Sequence, residues 1–169
     1  MATSSTDVAS YGDLYQWGRA ADGHQLRTSA TITTLATSST PGHGDFFIGP
    51  TSPYNWLATP NDNLWQVASG VNNPCPYGYR IPTRTELDSE RALFSSQDAA
   101  GAFASPLKLP VAGFRTGSTG TLSGVGSSGY YWSSTVSGSG AGDLSFSSSN
   151  ATMSTSTRAN GLSVRCVKD

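Results

Sequence analysis

The sequence predicts an α+β domain, and three observations predict it. A single segment, starting at Thr83, joins a helix start signal to helical spacing of apolar residues. Strand-like runs separated by Gly- and Ser-rich turns fill the chain behind that segment. Ahead of it stands Asn73-Pro-Cys-Pro-Tyr-Gly-Tyr-Arg-Ile-Pro-Thr83, whose three prolines fix φ and remove backbone donors. That stretch cannot lie inside a regular element, so it reads as a rigid turn handing the chain to the helix.

Residues 1–10 are small and polar, with Asp7 the one charge. Thr and Val favour extended backbone, and nothing here starts a helix. The expectation is an extended N-terminal arm that can pair with the sheet edge of a neighbouring copy; a frayed tail is the simpler alternative. Residues 11–169 then form a single domain, as expected at this length. Tyr11 to Gly18 alternates aromatic and polar residues apart from Leu14 and reads as the first core strand or turn. Arg19 to Gln25 is a polar loop turning at Asp22-Gly23. Thr28 to Thr40 is rich in hydroxyls and fits an exposed strand or an ordered loop. Pro41 to Pro50 encloses a short apolar strand, and Trp56 and Trp65 are expected to cover the core from either side of a turn at Thr59-Pro-Asn-Asp-Asn63.

Thr83-Arg-Thr-Glu86 has the capping-box pattern, the Thr83 hydroxyl accepting from the Glu86 N–H while the Glu86 carboxylate reaches back. The helix is expected from Arg84 to about Ser95. Leu87 and Phe94, with Ala92 and Leu93, make its apolar stripe, and Arg84, Asp88 and Arg91 face water. A short second helical turn is expected within residues 97–104, before Pro106. Leu107 to Arg115 is strand-like but broken by Pro110, and residues 116–129 form a Gly/Ser-rich loop. Tyr130 to Thr135, Leu144 to Phe146 and Ala151 to Met153 make an antiparallel meander. The closing run Leu162 to Val167 alternates, with Leu162, Val164 and Cys166 on one face.

Composition narrows the function. Charged residues are 12% of the chain and the formal net charge is −1, a balance without the basic patch that nucleic acid requires. No apolar run approaches the roughly 20 residues needed to cross a bilayer, so no membrane insertion is expected. Met1 to Val8 lacks the charged start and apolar core of a signal peptide; a mature form, or export by another route such as virion assembly, fits. Aromatic residues are well supplied, unlike in disordered chains. The exterior is expected to be uncharged and hydroxyl-rich, as on a secreted, cell or virion surface. Cys75 and Cys166 lack metal-site spacing. They are either one disulfide, worth roughly 4 to 5 kcal/mol by loop closure, or two buried free thiols. A stable disulfide would place the protein outside the cytosol.

Four motifs, in order, resemble a known family: Pro74-Cys-Pro-Tyr-Gly-Tyr-Arg-Ile-Pro-Thr83, Leu109-Pro-Val-Ala-Gly-Phe-Arg115, Gly129-Tyr-Tyr-Trp-Ser-Ser-Thr135 and Gly161-Leu-Ser-Val-Arg-Cys-Val167. They are similar to the Fibrobacter succinogenes major paralogous domain, and Tyr15-Gln-Trp17 resembles its opening strand. Leu87 departs from it, standing where many members carry a tryptophan. The resemblance implies a C-type-lectin-like fold with one main helix, a short second helix and a twisted antiparallel sheet. It implies that the last strand returns beside the first and that Cys75 and Cys166 are paired. It implies no settled activity.

The remaining motifs favour a scaffold over a reaction. Gly124-Val-Gly-Ser-Ser-Gly129 satisfies G-x-G-x-x-G but leads from a loop into a strand, not from a strand into a helix as a dinucleotide site requires. His24 and His43 have Asp22 and Asp45 nearby in sequence, yet no serine stands in a nucleophile-elbow context. The cysteines are read as one structural bridge, so no cysteine chemistry is expected. Asn61-Asp-Asn63 offers oxygen ligands for calcium, but turn chemistry accounts for it. Alternation separates Tyr131 from Tyr130 and Trp132, which argues for core packing over a sugar-stacking platform. Asn150-Ala-Thr152 is a glycosylation sequon. No catalytic residue, metal or cofactor is expected. The leading expectation is a non-enzymatic extracellular structural or adhesive subunit that assembles with copies of itself through residues 1–10 into a pilus-like fibre or phage appendage. The alternative is a module that binds surface glycans or a host receptor through residues 28–64 and 116–129.

Overall fold

The computed structural model describes residues 3–169. Met1 and Ala2, the start of the expected arm, lie outside the described residues. The rest of that segment is not extended. Asp7 accepts the Ala9 N–H and caps a 3-10 turn at Val8–Ser10. Ser5 carbonyl accepts the Val111 N–H at 2.9 Å. Asp7 is the reason: a carboxylate that also takes the Thr3 N–H and hydroxyl stabilises a local turn over an open strand.

The elements in chain order are β1 (Tyr15–Gln16), β2 (Thr31–Ile32), β3 (Phe46–Phe47), β4 (Tyr79–Arg80), α1 (Arg84–Ala92), α2 (Ala99–Ala104), β5 (Phe114–Arg115), β6 (Leu122–Ser123), β7 (Gly129–Ser137), β8 (Gly140–Phe146), β9 (Ala151–Ser156), β10 (Gly161–Leu162) and β11 (Val167–Lys168). The architecture is mixed α and β with one main helix. β7, β8 and β9 form an antiparallel meander. A second sheet has the order β1-β10-β5-β6, so β10, the strand before the last, lies beside the opening one, with Tyr15 opposite Leu162. β11 pairs antiparallel with β4, while β2 and β3 form a short parallel pair.

Two cores flank β7. Trp17, Phe47, Trp56, Trp65 and Trp132 pack with Ile81 and Leu162 in one. Leu87, Phe94, Val111, Tyr131, Leu144 and Phe146 fill the other, beneath the helices. Strand alternation explains the division, since Tyr131 points away from its neighbours on either side. Gly129 is required at the start of β7: a Cβ there would lie 2.2 Å from the Phe146 ring. All four indole N–H groups find carbonyls: Trp17 on Ser133, Trp56 on Trp17, Trp65 on Asn72 and Trp132 on Tyr15. Such rings gain burial without leaving a buried donor unpaired.

The helix begins at its capping box, the Thr83 hydroxyl accepting from Glu86 N–H at 3.2 Å and Glu86 accepting from Thr83 N–H at 2.7 Å. It ends at Ala92, not Ser95, and Leu93 is 81% exposed rather than part of the stripe. Arg84 does not face water. Its guanidinium crosses Gly142 of β8 to bond the Ser154 carbonyl of β9, because glycine leaves room for it. The second helix is capped by Asp98, which accepts from Gly101 N–H at 3.0 Å.

Candidate functional site

The most elaborated hollow lies where the N-terminal turn meets the closing stretch between β10 and β11. There the backbone stays extended, Ser163 donating to Tyr130 O and accepting from Trp132 N–H. Leu162 and Val164 turn to the tryptophan core, so Ser163 and Arg165 face the other way. Asp7 and Ser10 line a cleft of about 480 Å³ together with Lys108 and Arg165. A second hollow of about 210 Å³ shares Ser10 and Arg165 and is lined by Asp13, Tyr15 and Ser163. Tyr131, which also lines it, donates its hydroxyl to Pro110 O at 3.1 Å. Burial pushes that hydroxyl's pKa up, against the opposing pull of nearby Arg165 and Ser163.

The polar groups of this site are not fully used. Ser163 is 3% exposed and its Oγ has no hydrogen-bond partner, nor has the buried Nε of Arg165. No ion pair among the described residues includes Arg165 or Lys108. The alternation of Leu162, Val164 and Cys166 already implies a second face carrying Ser163 and Arg165. Nothing local in the sequence brings Lys108 or Ser10 to it.

A second polar constellation is internal. His24 is fully buried in what reads as a solvent loop, because the loop folds inward around Arg19. His24 Nδ1 lies 2.6 Å from Asp22, and Nε2 accepts the Gln16 N–H at 3.1 Å. Burial lowers the His24 pKa to about 4 despite the Asp22 carboxylate. Burial would raise Asp22, but the His24 ring and Arg19 outweigh it and hold it at about 2. Arg19 pairs with Asp22 at 2.6 Å and lies 4.9 Å from the centre of the Phe47 ring. Both His24 nitrogens are thus engaged in holding the loop. On β8, Asp143 is fully buried with neither carboxylate oxygen hydrogen-bonded, and burial raises it to about 6 against the effect of Ser156 and Arg84.

The residues singled out from the sequence do not converge on one site. Cys75 and Cys166 form a disulfide that joins the Pro-rich turn to the closing stretch. Beside it Arg80 holds Glu86 through two hydrogen bonds, at 2.8 and 2.7 Å, and Asp169 at 2.8 Å. The Arg80 hydrogen bonds are the main cause that brings Glu86 to about 2. Asn150 is exposed at the β8–β9 turn. Asn61 accepts the Asn63 N–H in a local turn, and Asp62 pairs with Arg158 at 2.6 Å. Among the described residues no three His, Cys, Asp or Glu side chains gather as a metal site. His43 sits half-exposed beside Asp45. Gly124 to Ser128 form the turn between β6 and β7, and Gly129 opens β7. Tyr131 and Trp132 are buried, in different cores.

A family model described as a domain of unknown function, DUF8237, matches residues 105–167. That stretch runs from the end of α2 to the start of β11 and includes Lys108, Ser163 and Arg165. No curated protein and no solved structure matches the chain.

Proposed function

We propose that this chain is a non-enzymatic extracellular subunit, structural or adhesive, with a C-type-lectin-like fold, and that it assembles through residues 1–10 into a fibre on a cell or phage surface. The observation that carries the reading is the tether of the N-terminal segment. Among described residues 3–10, the one main-chain bond to the body of the domain beyond Tyr11 is Ser5 O to Val111 N–H. A segment held so lightly is exchanged for its copy in a neighbour at little cost, and such head-to-tail contacts grow into filaments when they do not close. The pairing of β1 with β10 supports the fold assignment, in line with the motif resemblance. The Cys75–Cys166 bridge fits an oxidising compartment.

Electron microscopy of the purified full chain and of a chain lacking residues 1–10 tests this. Filaments are expected from the first, and folded monomers with an unchanged thermal transition from the second. Equal polymerisation by the truncated chain, or none by the full chain at high concentration, overturns the proposal.

A second reading, a glycan- or receptor-binding module, is favoured by one observation: the partly unpaired polar cleft at Arg165. A glycan array and a cell-surface binding assay with the full chain test it, and a chain that retains neither a glycan nor a cell-surface partner rules it out.

A further inference from the structure

The geometry points to a binding site for a carboxylate-bearing sugar residue in the cleft between the N-terminal turn and Arg165, an inference that rests on the second reading above and names its ligand class. Ser163 Oγ, on the smaller hollow, and Arg165 Nε, which both hollows share, are buried beside the Tyr131 hydroxyl with no hydrogen bond of good geometry among the described residues. A guanidinium with no carboxylate of its own recognises a planar anion through paired N–H donors. Lys108, on the same cleft, adds a second positive charge. It is held only by a long contact to Ala104 O and by the Phe103 ring, 5.4 Å away.

The remaining lining selects among anions. Asp13 and Tyr15 share the smaller hollow with Arg165, and Asp7 lines the larger one. Carboxylates on the wall accept hydrogen bonds from sugar hydroxyls. Tyr15 is half-buried on the smaller hollow and is an amphipathic ring of the kind that suits a sugar. A neutral sugar would leave Arg165 and Lys108 uncompensated, and a simple carboxylate would leave Asp13 without donors. A uronic or sialic acid supplies both a carboxylate and hydroxyls. The larger cleft, about 480 Å³, falls within the range of small-ligand sites, about 300–1,000 Å³.

The test is an NMR titration of the full chain with D-glucuronate, N-acetylneuraminate, D-glucose and acetate, alongside the glycan array. At least one of the acidic sugars is expected to shift the signals of Ser163, Arg165 and Tyr15 and to bind at least about tenfold more tightly than glucose or acetate. Arg165→Gln and Lys108→Gln should each weaken that binding at least about fivefold. The Lys108 side chain makes only one long hydrogen bond and no ion pair among the described residues, so Lys108→Gln keeps the test decisive even if the Arg165 variant melts early. Acetate binding as tightly as the acidic sugars overturns the saccharide assignment. Array binding to neutral glycans, unaffected by either substitution, overturns this site while leaving the second reading intact. No binding to any probe overturns this site and the glycan-binding form of the second reading together.

Discussion

The Nε2 of His24 accepts the backbone N–H of Gln16 at 3.1 Å, so the imidazole serves as a neutral building block of the core. Its pKa, lowered by burial to about 4, means that acid favours the unfolded chain as pH falls from about 6.5 to 4. Asp143 works in the opposite sense. With its carboxyl raised to about 6, the folded state takes up a proton before the unfolded state does, so stability rises as pH falls from about 6 to 3.8. The two act in opposite senses over the same pH range, so each offsets the other in urea unfolding between pH 4 and 7. Asp143→Asn should expose a loss of about 3 kcal/mol on acidification over that range. A flat profile in that variant would remove His24 as a pH-sensitive element.

Arg158 lies 4.6 Å from the centre of the Trp17 ring and pairs with Asp62. The arginine is buried, whereas the Asp62 side chain is 65% exposed. Stacking and packing should therefore outweigh the ion pair. Arg158→Ala is expected to cost about 3 kcal/mol in chemical denaturation, as expected when a buried, bonded side chain is removed. Asp62→Asn should cost under about 1 kcal/mol. Equal losses from both would show that the charge pair dominates.

How much of this was legible in the sequence depended on how local its cause was. The capping residues Thr83 and Glu86 lie within one turn of helix, and the opposite facings of Tyr131 and Trp132 follow from adjacency along a strand. Arg19, His24 and Arg158 are buried for reasons that no local pattern carries. Gln16 bonds Ala159, 143 positions away, and Phe47, 31 positions away. Strands of two residues such as β1, β5 and β10 are also too short to show a period, which needs 4–8 residues. The cleft was half-legible. Ser163 and Arg165 are implied by alternation, while the folded-back turn at Asp7 reversed the expectation of an extended arm.

Thr83→Ala should lower stability by about 1 kcal/mol, the usual cost of losing an N-cap hydroxyl. Glu86→Gln removes the carboxylate that accepts from Thr83 and holds Arg80. Its effect should shrink in high salt, because Arg80 and Glu86 are partly exposed. Thermal unfolding of the single variants at low and high ionic strength distinguishes the two. A salt-independent Glu86→Gln penalty would assign its role to the backbone cap alone.

The Cys75–Cys166 bridge spans 91 positions and therefore constrains the unfolded chain over a long loop. Loop closure over that distance corresponds to about 4–5 kcal/mol. The same ends of the chain are held without it, by the β4–β11 pair and by the Arg80 contacts to Glu86 and Asp169. Reduction should therefore lower the unfolding free energy by several kcal/mol while the folded form persists at low temperature. The Cys75→Ala/Cys166→Ala chain should match the reduced protein, with its tryptophan fluorescence still buried. Immediate loss of that signal on reduction would mean that the surrounding contacts cannot hold the closing stretch. A shift below about 1 kcal/mol would mean that the unfolded chain already keeps Cys75 near Cys166, leaving little entropy for the bridge to remove.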